Sequence, residues 1–170
     1  MKKSDRIHQM IGIDLATEML CIGTKKLQTK PYARCVTLKG ALVLSIPFIE
    51  DSFDCVTLSF GIRNVTDVPT CLKEIHRVLN STRRILILEF SLSPHSTLKN
   101  LHLYYLRHIM PKIGAFISKD HYAYAYLNKT IEMFPYSPLF CQLLVDTGFK
   151  NFKAHPLTFG VVTLYQRDKS

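Results

Sequence analysis

The chain has 170 residues, 22 Lys and Arg against 13 Asp and Glu, and a net charge of +9. That length is one domain's worth of chain, and 47% hydrophobic with 21% charged residues excludes a disordered polymer. The basic balance suits an anionic ligand or lipid surface. No Lys/Arg run exceeds two residues and no nucleic-acid-binding motif occurs, so nucleic acid is not an expected partner.

Taken in order, Met10 to Asp14 is a short apolar run ending in a carboxylate, and it predicts a strand over 11–14. Thr17 is the expected cap of a helix over 17–28, with Met19, Leu20, Ile22 and Leu27 on its apolar face. An acid at such a strand tip can accept both hydroxyls of a ribose, and it can equally be an ordinary turn residue. A third-strand pattern at 35–39 leads into a loop from Gly40 to Phe48. The run Cys55 to Ser59, fed by the acidic turn Asp51 to Asp54, predicts a buried strand of a parallel sheet.

Ser59, Arg63 and Asn64 follow at its carboxyl end, where open α/β sheets bind their ligands. A loop with Arg63 solvated fits the same spacing. Thr66-Asp67 caps a helix over 68–79, whose residues Val68, Cys71, Leu72, Ile75, Val78 and Leu79 form one apolar stripe. Asn80-Ser-Thr reads as a turn into a strand over 85–90, with Glu89 near its tip. Residues 98–135 form an apolar and aromatic insertion, expected to be mainly helical and to cover the strand ends. Tyr122, Tyr124 and Tyr126 form its second aromatic cluster, and Pro111 and Gly114 break it. A helix over 138–146 with Leu139, Phe140, Leu143 and Leu144 inward and Gly148 as C′ residue, then an antiparallel pair at 151–155 and 161–165, completes the chain. The pattern predicts an α/β domain, with helices on both faces of a mostly parallel sheet.

The five cysteines contain no C-x-x-C and fall in or beside apolar runs, and the seven histidines show no ligand spacing. No metal site is expected. The longest nearly apolar stretch, Ala41 to Ile49, is too short to span a bilayer, and the first residues lack a signal-peptide pattern. A cytoplasmic protein is expected.

Gly12-Ile-Asp14, Ser59-Phe-Gly-Ile-Arg-Asn-Val65, Arg77-Val-Leu79, Leu88-Glu-Phe-Ser91, Tyr124-Ala-Tyr-Leu127, Phe134-Pro135, Asp146-Thr-Gly-Phe149 and Leu157-Thr-Phe-Gly-Val-Val162 occur in a telling order and spacing. In this the chain resembles the quinone-biosynthesis C-methyltransferases, the ubiquinone/menaquinone methyltransferase family. The resemblance implies a class I S-adenosylmethionine (SAM) methyltransferase with a Rossmann-like sheet. Its implied reaction is methylation of a ring carbon of a polyprenylated quinol precursor. It implies that Asp14 holds the ribose of SAM, that Ser59 lines the cofactor pocket, and that Arg63 and Asn64 sit at the quinol. It also suits a peripheral contact with an anionic leaflet, given the +9 charge.

Three departures accompany it. The family's Asp-Ala pair, whose carboxylate serves the adenine side, is replaced by Leu42-Val43, and its Lys-Pro-Gly-Gly turn by Asn80-Ser-Thr-Arg. The sequence starts where the family's second strand starts, so the first strand and glycine-rich loop are expected to be lacking. Residues 1–170 are thus expected to be a single, incomplete methyltransferase domain. A second expectation is an inactive remnant or partner-binding module of the same fold, without SAM binding.

Overall fold

The computed structural model describes residues 7–112, 121–136 and 138–167, the side chains of 81–83, 121–125 and 167 excepted. The chain divides into two units, Met1–Phe48 and Ile49–Ser170. The first is a βαβ unit: strand β1 (Met10–Asp14), helix α1 (Thr17–Gln28) and strand β2 (Val36–Gly40), with β1 and β2 parallel and Asp14 opposite Gly40. Close packing of helix on strand depends on Gly23, where a Cβ would lie 2.9 Å from Leu38.

The sheet-facing side of α1 therefore runs through Leu20, Gly23 and Leu27. Met19 and Ile22, expected on that face, are exposed. Thr17 does not cap α1 either. The N-cap is Ala16, whose amide donates to Oδ1 of Asp14 (2.9 Å), so the strand-tip carboxylate itself opens the helix.

In the second unit β3 (Phe53–Ser59) pairs in parallel with β4 (Leu79–Phe90). The sheet then turns antiparallel through β6 (Val162–Arg167) to β5 (Phe152–Leu157), in the order β3-β4-β6-β5. The described strands thus form a mixed arrangement of two sheets rather than one mostly parallel sheet. Between β3 and β4 lies α2 (Val68–Val78), which buries Cys71, Leu72, Ile75 and Val78 as its 3.6-residue stripe requires. Burying each aliphatic side chain contributes about 1.5–3 kcal/mol. Cys71 acts as a small hydrophobe, with burial pushing its thiol up to about 11. Asp67 is the N-cap, accepting from the amide of Thr70 (3.0 Å). The Thr70 hydroxyl and amide together hold its carboxyl below the usual range.

The expected turn at Asn80-Ser-Thr is absent. The chain passes directly from α2 into β4, and a register shift sets residues 80–83 against the single residue 54. The extra residues are absorbed as a bulge, which needs no glycine. Nor is β3 fully buried: Cys55 and Thr57 are exposed, because among the described residues β3 has a partner on one edge only.

The insertion comprises α3 (Ser96–Tyr104), a π turn (Tyr105–Ile109) and α4 (His121–Met133); Gly114 and the side chains of Tyr122 and Tyr124 lie outside the described residues. Leu92, Leu106 and Ile131 form its core, joined by Leu103, Met110 and Leu127. Asn128 of α4 donates its side-chain amide to the carbonyl of Leu106 in the π turn. Two elements are thereby joined at a carbonyl that sits within irregular helical geometry. Next comes α5 (Pro138–Asp146), with Phe140 and Leu144 buried and Leu139 exposed. It ends with the amide of Gly148 (φ 101°) on the carbonyl of Val145 and that of Phe149 on Leu144. That is a Schellman motif, and it demands the positive φ glycine provides. Phe140 stacks between Phe134 and Tyr165 at the centre of the unit.

Candidate active site

The site builds outward from the carboxyl end of β3. Ser59 is its last residue, exposed, and its hydroxyl has no hydrogen-bond partner among the described residues. Phe60 then takes φ 54°, uncommon for a bulky side chain. Its amide donates to the carbonyl of Leu88 (2.8 Å), while its own carbonyl accepts from Nη1 of Arg63 (2.6 Å). The 3₁₀ turn Ile62–Asn64 buries Ile62 completely and so fixes where Arg63 leaves the backbone.

Arg63 is not solvated. Its side chain is 9% exposed, and Nη1 lies 2.7 Å from Oε1 of Glu89, whose side chain is fully buried. The Arg63 guanidinium also sits 5.2 Å from the ring centroid of Phe90, and Phe90 packs on Phe60 at 4.7 Å. Nε of Arg63 is buried with no partner among the described residues. Glu89 was visible in the sequence only as an acid near a strand tip. The signal that finds it is period two: Ile85, Ile87 and Glu89 share one face of β4, and all three are buried.

Arg63 lines a cavity of about 570 Å³. Its other wall is α4, through Tyr126, Lys129, Thr130 and Met133, with Phe134 beyond. These positions recur at i, i+3, i+4 and i+7, one face of a helix. The Tyr126 hydroxyl donates to Oδ1 of exposed Asn64 (3.4 Å), so the Arg-Asn pair and the insertion meet here. A cavity of this size, mostly apolar with a few polar groups, suits a small aromatic ligand.

Asp14, Leu42 and Val43 gather at the carboxyl end of the β1–β2 sheet. The amide of Ala41 donates to the carbonyl of Asp14 (3.1 Å), which brings the Leu42-Val43 loop beside the carboxylate. Leu42 is 43% exposed and Val43 half-buried. Oδ1 of Asp14 accepts from the Ala16 amide just before α1, and Oδ2 has no partner among the described residues. One free carboxylate oxygen fits a ribose hydroxyl. Leu42 and Val43 present apolar side chains without a hydrogen-bonding group. Among the described residues no cluster of three metal-ligating side chains occurs, and no helix is long and apolar enough to cross a membrane.

Residues 1–169 match the profile of the ubiE/COQ5 methyltransferase family. The chain belongs to that family. It is 40% identical over 158 residues to the ubiquinone/menaquinone biosynthesis C-methyltransferase UbiE of Geotalea daltonii, covering 93% of this chain and 67% of that one. To the UbiE of Erwinia tasmaniensis it is 36% identical, over 93% of this chain and 63% of the relative. The chain thus spans about two-thirds of the length of these ubiE/COQ5 relatives.

Among solved structures it is similar to a SAM-dependent methyltransferase of Thermotoga maritima, described as a possible histamine N-methyltransferase. The TM-score is 0.62 and the identity 18%, over 95% of this chain and 81% of that one. A SAM-dependent methyltransferase of Methanococcus maripaludis, described as putative, gives 0.59 at 16% identity, over 94% of this chain and 66% of that one. The ubiE/COQ5 chain therefore has the α/β fold of SAM-dependent methyltransferases, with a mixed sheet.

Proposed function

We propose that this chain is built for C-methylation of a polyprenylated quinol precursor, as a single methyltransferase domain over residues 1–170. The observation that carries the reading is the buried Arg63, with its unpartnered Nε, lining an aromatic cavity just beyond the carboxyl end of β3. SAM, when bound, supplies an electrophilic methyl group. The residues of this chain do the rest: the cavity holds the ring, and the Arg63 Nε–H donates to a ring oxygen. A guanidinium is a poor general base, so Arg63 stabilises the oxygen rather than taking its proton. Asn64 and Tyr126 orient the ring from the rim. In the first unit Asp14 holds the ribose, with Leu42 and Val43 beside it; the hydroxyl of Ser59 is a second candidate cofactor contact, in the second unit.

The residues present fit SAM only at the ribose. The seven glycines include no Gly-x-Gly, the turn that lets backbone approach such a ligand closely. We propose that residues 1–170 alone bind SAM weakly. This favours a second reading, a partner-binding module that keeps the ring cavity without the donor. Calorimetry with SAM, paired with a methyl-transfer assay on a polyprenylated quinol, separates the two. Methyl transfer by residues 1–170 would overturn the second reading. A SAM-binding form of this chain that never methylates a quinol would overturn the first.

A peripheral contact with an anionic lipid surface belongs to the same proposal. Leu98, Leu101, Tyr105 and Ile109 are exposed along α3 and the π turn at i, i+3, i+7 and i+11, on a chain of charge +9.

A further inference from the structure

The charges around the cavity do not balance. Arg63 brings a cation, but Glu89 cancels it at 2.7 Å. Glu132, one turn beyond Lys129 on α4, is taken by Arg107 of the π turn through two hydrogen bonds (2.9 and 2.6 Å). Those bonds hold the Glu132 carboxyl below its ordinary range. Tyr126 is engaged with Asn64, and the Thr130 hydroxyl donates to its own helix at the carbonyl of Leu127. Lys129, exposed on its helix, lines the cavity, and its side chain makes no hydrogen bond or ion pair with any described residue. Among the described residues that line it, the cavity therefore carries one uncompensated positive charge, on a flexible stem that can reach inward.

We propose that Lys129 is the anion-binding residue of this cavity, and that the cavity takes a hydroxylated aromatic ring in its phenolate form in preference to the neutral phenol. The inference rests on the reading of the cavity as a ring site, and it assigns the charge to a residue which that reading leaves unused. Arg63 then contributes direction, through its fixed Nε–H, and Lys129 contributes charge. A neutral Arg–Glu pair attracts an oxyanion only as a dipole, whereas a lone ammonium attracts it as a full charge. A ring held as its phenolate has the electron density at carbon that a methyl acceptor requires.

The test uses residues 1–170 and the chromogenic phenol 4-nitrophenol, whose hydroxyl titrates near neutrality. Absorbance titrations across pH give the affinity for each ionisation state without any methyl transfer. Phenolate should bind about tenfold more tightly than phenol, the size of one hydrogen bond to a charged group. Lys129→Met should abolish that preference while neutral phenol binds as before, and Lys129→Arg should restore it. Thr130→Trp, which fills the cavity, should abolish binding of both forms. A preference that survives Lys129→Met, or a wild type that binds both forms equally, overturns the role of Lys129 and leaves the ring cavity standing. Failure of wild type to bind either form removes the ring cavity, and this inference with it.

Discussion

Arg63, singled out from sequence beyond a strand end, and Glu89, seen there only as an acid near a strand tip, turn out to be a single device. The guanidinium is over 90% buried and the carboxylate completely so. Glu89→Gln or Arg63→Ala leaves an uncompensated buried charge or a broken pair, and either should cost about 3–5 kcal/mol in urea denaturation. In a catalytically active form, Arg63→Ala assayed at retained fold should lower kcat about 10²–10³-fold. The same substitution should leave SAM affinity nearly unchanged. Asp14→Ala should do the reverse, weakening SAM with little effect on kcat, because its free oxygen serves the ribose.

A pH effect follows from His102, whose Nδ1 is buried without a partner among the described residues and whose pKa is pushed below the usual 6.5 by burial. The unfolded chain then binds the proton more readily than the folded one. Its contribution to stability is complete above 6.5 and is lost as pH falls through that value towards the lower folded pKa. Denaturation midpoints measured across this window should slope downward with acid, and His102→Gln should flatten the slope. Arg63, Asn64 and Asp14 were legible as candidates because polar groups beyond strand ends carry chemistry in such folds. Glu89 was passed over because a carboxylate inside an aliphatic strand face defies composition, and only its distant partner explains it.

At the scale of elements, α2 and β4 follow the apolar periodicity closely, whereas α5 buries Phe140 and Leu144 but leaves Leu139 exposed, against the expectation that it faces inward. The misreadings have local causes. Met19 and Ile22 lie outward because Gly23, not a larger residue, marks where α1 touches β2. The strand β4 starts at Leu79 because a bulge replaced a turn. The connection between β5 and β6 is strained: Thr158 and Phe159 take φ 47° and 56°, and the Phe159 side chain is 84% exposed. Neither residue gains packing in return for that conformation. Phe159→Gly should therefore raise stability by about 1 kcal/mol, read as a higher urea midpoint at unchanged slope. A lower midpoint would show that the exposed ring contributes contacts in solution.

For the whole molecule, the cofactor and lipid proposals lead to two measurements. Calorimetry on residues 1–170 should give a SAM dissociation constant above about 100 μM, corresponding to less than about 5.5 kcal/mol of binding. A tighter value would mean that other residues substitute for the glycine-rich turn. Sedimentation with anionic vesicles should carry the protein down at low salt, and zwitterionic vesicles should not. Leu101→Glu, on the exposed stripe of α3, should reduce anionic binding severalfold; no change would place the contact elsewhere.

The one-sided pairing of β3 has a further consequence, in the time its amide protons take to exchange with solvent. The Phe60 amide points to β4, so strand alternation directs the amides of Cys55, Thr57 and Ser59 to the opposite edge. Those three should exchange with deuterium orders of magnitude faster than the amides of Val56 and Leu58 between them. The strand thus carries its own clock with a period of two residues. Any polypeptide that completes the sheet at this edge, whatever its source, would slow every second tick and leave the others unchanged.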